Sequence, residues 1–171
     1  MSLKIKRVKT PAVLQMEAVE CGAACLGIVL AHFGRYIPLE LLRDQCDVNR
    51  DGSKASNILR AARQHGLKAK GFRKEPATLA NEKMPVIIHW NFNHFLVLEG
   101  IKKDKVYLKD PAAGHRTVSY QDFTKSFTGV TLTFTKDENF QKEGRPFNAI
   151  SSIASKIKGY RRALAFIVMI G

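Results

Sequence analysis

Glu20-Cys-Gly-Ala-Ala-Cys-Leu-Gly-Ile-Val-Leu-Ala-His-Phe-Gly34 is the stretch on which the reading of this chain turns. Rich in Ala and Leu, it predicts a helix over residues 21–33. Gly34 closes it at the position where a left-handed residue ends a helix. Cys21 stands at the N-terminus, where unpaired N–H groups and the helix dipole favour a thiolate. A free thiol, with a pKa of about 8.5, drops by several units at such a place, and further beside an imidazole. Gly22 removes a side chain next to the sulfur, which leaves room for a substrate backbone. The commonest fate of a free cysteine is a small apolar core residue. That fate suits Cys25, one turn deeper in the helix, and Cys46.

Further helices follow from this start. Pro38 opens a second one running to about Cys46, Asn49-Arg-Asp-Gly52 is a turn, and Ser53 caps a third helix through Gln64. Residues 67–72 alternate as a strand, and residues 75–82 form a short helix before Pro85. The period then changes. Val86-Ile-Ile-His-Trp90 and Phe95-Leu-Val-Leu98 read as buried strands with Asn91–Asn93 turning between them. A third strand begins at Val106 and stops at Asp110-Pro111. Residues 116–118 form a fourth, residues 120–127 a helix and residues 130–135 a last alternating strand. Helices first and strands afterwards indicate an α+β domain.

The 171 residues, 45% hydrophobic and 25% charged, fit one globular domain that needs no metal or disulfide staple. Three cysteines are too few for a disulfide framework. The net charge of +13 is concentrated at the ends. Residues 1–16 and 151–171 each carry four basic and no acidic side chains, against 20 basic and 15 acidic in between. There is no RNP motif, zinc-finger spacing or basic recognition helix, so no nucleic-acid partner is expected. Residues 1–12 read as a basic N-terminal arm, 13–136 as the domain and 137–150 as a polar linker. In residues 151–171 a basic cluster, Lys156 to Arg162, precedes nine residues without a polar side chain. The expectation is the positive-inside pattern at the start of a truncated transmembrane domain, with the preceding domain in the cytoplasm; the alternative is a C-terminal helix docked on the domain's own core.

A cysteine nucleophile needs a base, and five histidines are present. His32 shares the helix face of Cys21 but lies ~16 Å along the axis. His65 ends a helix, which leaves His89, His94 and His115; His89 sits within an apolar run, as a core histidine does. His94 opens a strand just after a turn, where a strand end hands its side chain to a cleft. An imidazole base also needs an acceptor to hold its tautomer. If the strand ending at Asp110 neighbours the one opening at His94, a hairpin about residue 102 brings the two side by side. Gln15, six residues before Cys21, has an amide suited, with the Cys21 N–H, to a developing oxyanion. A zinc site from Cys21, Cys25 and two histidines lacks the paired histidine spacing. No phosphate-binding glycine motif is present.

The stretch from Gln15 to Leu26 with His32-Phe-Gly34 resembles the opening motif of the C39 peptidases. Arg50-Asp-Gly52, Ala61-Ala62 with Gly66-Leu67, His94-Phe-Leu-Val-Leu98 and Asp110-Pro111 are similar to the family's later motifs in the same order, over roughly residues 10–136. These are the N-terminal peptidase domains of bacteriocin-processing ABC exporters. The resemblance implies a papain-like cysteine peptidase fold. It implies that Cys21 is the nucleophile, His94 the base, Asp110 its orienting acid and Gln15 the oxyanion donor, with Trp90, Asn91, Phe92 and Asn93 lining the cleft. The implied partner is a precursor peptide, of bacteriocin or lanthipeptide type, whose helical leader ends in Gly-Gly, Gly-Ala or Gly-Ser. The transporter's transmembrane and nucleotide-binding domains are the other partners, with a homodimer in the full-length membrane protein. No cofactor or metal is expected in this segment, and ATP belongs to the C-terminal part of the exporter. Two alternatives stand beside this reading: a non-catalytic leader-binding module, and another papain-like thiol hydrolase.

Overall fold

The computed structural model describes residues 4–145. A seven-stranded sheet is formed by β1 (Lys4–Ile5), β2 (Leu67–Arg73), β3 (Val86–Trp90), β4 (His94–Lys102), β5 (Lys105–Asp110), β6 (Gly114–Ser119) and β7 (Phe127–Lys136). The order is β2-β7-β3-β4-β5-β6, with β1 paired to β4, and every pairing is antiparallel. Helices α1 (Cys21–Phe33), α2 (Leu39–Gln45) and α3 (Ala55–Gln64) precede β2, and α4 (Tyr120–Ser126) precedes β7. The α+β expectation and the order of its elements hold.

β3 and β4 read as unbroken apolar runs because both faces of the sheet are covered. Ile87, Phe95, Val97, Leu132 and Phe134 meet Leu26, Leu30, Leu42 and Ile58 of the helical layer. Their alternating neighbours Val86, Ile88, Leu96, Leu98, Val106 and Leu108 meet Leu79, Phe123 and Phe127 on the other side. The period of two along a strand divides the apolar residues between two cores. Helix α1 is buried at every residue from Cys21 to Ala31. A helix that is apolar all round belongs in the interior, and α1 is the central element of the helical layer. Gly34 closes it at φ 96°, its N–H donating to Ala31 and Leu30 carbonyls.

Three local expectations change. Ser53 does not cap α3. Lys54 occupies that position without a side-chain bond, and the Ser53 hydroxyl is buried and unpaired. The N-terminal arm is not free. Ile5 is buried, Val8 N–H donates to the Glu99 carbonyl at 2.9 Å, and Thr10 N–H and Oγ1 donate to the buried Glu99 carboxylate at 3.0 and 2.8 Å. Burial pushes the Glu99 carboxyl up, but the bonds from Thr10 and the Arg7 guanidinium outweigh it and hold the group below its usual range. Residues 137–145, expected as linker, are also docked. Tyr36 N–H donates to the Glu143 carbonyl at 2.7 Å, Arg35 Nη2 lies 2.8 Å from Glu143 Oε2, and Phe140 packs edge-on against Phe33. The rest of the expected linker and the expected transmembrane start, 151–171, lie outside the described residues. Among the described residues no helix is long and apolar enough to cross a membrane.

Phe123 is the largest fully buried side chain of the α4 side, stacked on Phe127 with ring centroids 5.1 Å apart and tilted against Trp90 at 6.0 Å. Phe123→Ala is expected to lower the free energy of unfolding by about 3–5 kcal/mol, read by urea denaturation.

Candidate active site

A 3-10 turn, Ala18–Glu20, runs straight into α1, so Cys21 opens the helix. Its N–H has no acceptor within α1, as for any first-turn residue. The side chain is 5% exposed. Gly22 has a different purpose from the one expected. A Cβ there would stand 2.8 Å from Ile58 Cδ1 and 3.1 Å from Ser53 Cβ. The missing side chain admits helix α3, not a substrate backbone. Cys25 donates its S–H to the Phe95 carbonyl at 3.2 Å, and burial pushes its thiol well up. Burial pushes Cys46 up to about 12. Both suit packing and not nucleophilic attack. Among the described residues no group of three or more His, Cys, Asp or Glu gathers as metal ligands.

His94 and Asp110 occupy the first position of β4 and the last of β5. His94 Nε2 lies 3.0 Å from Asp110 Oδ1, and the same oxygen accepts from Ala112 N–H at 2.9 Å. With Nε2 on the carboxylate, Nδ1 is the ring nitrogen left for Cys21. The Cys21 sulfur is the largest influence raising the His94 pKa. Burial opposes it, and the hydrogen bond and charge of Asp110 add to it. The contact arises by another register than the one expected. The hairpin turns at Lys103–Asp104, with Lys102 opposite Lys105 and Ile101 opposite Val106. Carried straight, that register sets Asp110 opposite Val97, on the face away from His94. The ladder shifts between Leu98 and Gly100, so that Val97 faces Lys109. One step further, Asp110 stands level with Leu96 and shares its face with His94, which it meets diagonally.

Gln15 is brought to the same place from the other direction. Its N–H donates to the Pro111 carbonyl at 2.9 Å, directly after Asp110. Its side-chain Oε1 is buried without a hydrogen-bond partner. The turn that follows is closed by Glu20, whose Oε2 accepts from Met16 and Glu17 N–H at 2.8 and 3.1 Å. Sequence reasoning passed over Glu20, although an acid ahead of an apolar helix is a visible signal. It also passed over Arg116, whose Nη1 is 3.8 Å from Asp110 Oδ2 and whose guanidinium lies over the Trp90 ring.

The four residues expected to line a cleft divide. Asn91, Phe92 and Asn93 are exposed on the turn leading into His94, Phe92 at 83%. Trp90 departs from the expectation: it is 4% exposed and belongs to the α4-side core. The remaining histidines are engaged elsewhere. His65 Nε2 contacts Gln45 Oε1 at 2.6 Å, His89 stands against Phe95, His115 stacks on Tyr107, and His32 lies beside Phe33.

Two measurements bear on this geometry. Asp110 favours the protonated ring, so Asp110→Asn is expected to move the His94 titration to lower pH, followed through its ring-proton NMR resonances. An unchanged midpoint contradicts the Asp110 contact. Iodoacetamide on the folded protein is expected to label Cys21 and spare Cys25 and Cys46, located by peptide mass spectrometry.

A model of the Peptidase C39 family matches residues 9–139. The chain is 34% identical over 160 residues to the probable microcin-H47 secretion/processing ATP-binding protein MchF of Escherichia coli, covering 93% of this chain and 23% of that protein. It is 35% identical over 158 residues to the colicin V secretion/processing ATP-binding protein CvaB of Escherichia coli, covering 92% and 23%. The chain thus spans about a quarter of the length of these curated relatives. Among solved structures, a double glycine motif protease from an AMS/PCAT transporter, in complex with its leader peptide, superposes with TM-score 0.75 at 49% identity, covering 78% of this chain and 97% of that one. The peptidase domain of Streptococcus ComA shares the fold at TM-score 0.70 and 22% identity, covering 73% and 97%. The fold is thus the papain-like one anticipated, and the chain belongs to the peptidase C39 family, a family of cysteine peptidases.

Proposed function

We propose that this domain removes the leader from a secreted peptide precursor of the bacteriocin or lanthipeptide type, cutting after a double-glycine-type pair, as the N-terminal part of an ABC exporter. The observation that carries the proposal is the meeting at one place of Cys21 at the start of α1, the His94 ring that its sulfur makes more basic, and the Asp110 carboxylate 3.0 Å behind that ring. The family match and the likeness to a double glycine motif protease bound to a leader peptide support the substrate class.

The chemistry follows from the groups. The Cys21 thiolate attacks the carbonyl carbon after the second small residue, and the carbonyl oxygen becomes an oxyanion held by the Gln15 amide and the Cys21 N–H. His94, protonated at Nδ1, gives its proton to the departing amine as the C–N bond breaks. The core peptide leaves, and the leader stays as a thioester on Cys21. Water then gives a proton to His94 and attacks the thioester carbonyl; the C–S bond breaks, the thiolate is restored, and the leader leaves as a carboxylic acid that loses its remaining proton to solvent. Asp110 holds the ring so that Nδ1 faces the sulfur throughout. Asn91, Phe92 and Asn93 are positioned to touch the substrate beside the cut. Trp90 acts from beneath, as packing.

On this reading the domain works at the cytoplasmic face of the membrane. The transmembrane and nucleotide-binding domains, the ATP and the dimer belong to the remaining three quarters of the exporter, and the peptidase step needs no cofactor. A module that only bound leaders would have no use for the Cys21–His94–Asp110 arrangement. Incubated with precursor peptides carrying Gly-Gly, Gly-Ala or Gly-Ser, the purified chain is expected to release the leader, detected by mass spectrometry. Cys21→Ala is expected to abolish cleavage and keep leader binding. Undiminished turnover in that variant overturns the proposal.

A further inference from the structure

Glu20 is a carboxylate buried to 1% exposure immediately before the candidate nucleophile. Oxygen Oε2 accepts both N–H groups that follow Gln15, from Met16 and Glu17. Oxygen Oε1 meets Arg43 Nη1 of α2 at 2.7 Å. The far side of Gln15 is tied to Pro111, next to Asp110. Residues 15–17 are therefore folded back onto the start of α1 by one side chain, which α2 in turn holds. A buried charge is retained only where it is paired and hydrogen-bonded, and Glu20 meets both conditions through a segment that carries the Gln15 amide.

We infer that Glu20, locked by Arg43, is a positioning residue that brings the Gln15 amide and the Cys21 N–H to bear on the same oxyanion. The inference rests on the oxyanion reading of Gln15 given above. It separates the shape of Glu20 from its charge. Glutamine at position 20 still accepts from Met16 and Glu17 but has lost the charge, whereas alanine loses both.

The experiment compares the purified variants on a Gly-Gly precursor, with circular dichroism to confirm folding. Gln15→Ala is expected to lower kcat about 10²–10³-fold with KM little changed, the size of one lost oxyanion donor. Glu20→Ala is expected to fall to a similar level, and Glu20→Gln to lose only about tenfold, because its amide oxygen still accepts from Met16 and Glu17 while its N–H2 faces the Arg43 guanidinium. In the Gln15→Ala background, Glu20→Ala is expected to add less than about threefold, since both changes remove the same interaction. Equal impairment of Glu20→Gln and Glu20→Ala, or fully additive losses in the double variant, overturns the inference. Gln15→Ala at the parent rate overturns the oxyanion reading and this inference with it. Gln15→Ala impaired beside an active Glu20→Ala overturns this inference alone. If Glu20→Ala does not fold, Arg43→Met and Arg43→Lys decide. The first is expected to lower kcat about tenfold and the second to restore it. Parent-level activity in Arg43→Met, or equal loss in both, overturns the inference.

Discussion

The hydrogen bond from His94 to Asp110 depends on a single extra residue in β4. The two side chains sit at the ends of neighbouring strands, and side chains on a strand change face at every step. A hairpin turning at Lys103–Asp104 with an unbroken ladder puts Asp110 and His94 on opposite faces of the sheet. The shift between Leu98 and Gly100 restores the phase. Gly100, at φ 155°, carries the bulge without a side chain because a Cβ there would lie 2.6 Å from Arg7 Cα. The N-terminal segment passes over that point and is held by the Glu99 carboxylate, through Thr10 and Arg7. The site therefore depends on residues that take no part in the chemistry.

The second requirement is a rigid platform for the sulfur. Helix α1 is buried from Cys21 onward, and α3 leans on its first turn at Gly22, where Ile58 and Ser53 leave no room for a Cβ. The first turn of an ordinary helix frays. This one is packed by α3, preceded without a break by the Ala18–Glu20 turn, and joined through Glu20 to Arg43 of α2. Two buried carboxylates, Glu20 and Glu99, each tie a stretch of irregular chain to regular structure. Glu99 has no apolar substitute, because the Thr10 N–H it accepts is buried and would otherwise be left unpaired.

Much of the site was legible without coordinates. Cys21 at a helix start, His94 at a strand start and Asp110 ahead of Pro111 are local placements, set by helix and turn chemistry within a few residues of each. The element order followed from the change of hydrophobic period near Pro85, and the cap at Gly34 from its own backbone freedom. Trp90 was misjudged because a tryptophan beside a turn reads alike whether its ring faces solvent or a core, and only α4, some 30 residues later, covers it. Residues 1–12 read as a basic arm, and residues 137–145 as part of a polar linker. Their docking depends on Glu99 and on the Gly34–Tyr36 backbone, partners that local sequence does not announce.

The sequence by itself therefore determined which side chains are available for the chemistry and at which ends of which elements they stand. Those facts depend on propensities and caps that act over a turn or two. Only the tertiary structure decided that Asp110 faces His94, that Gly22 serves α3 and that Glu20 holds the approach to Cys21. Strand phase, helix contact and pairing of buried charge are set by groups remote in sequence, and they form only when both cores close around the sheet.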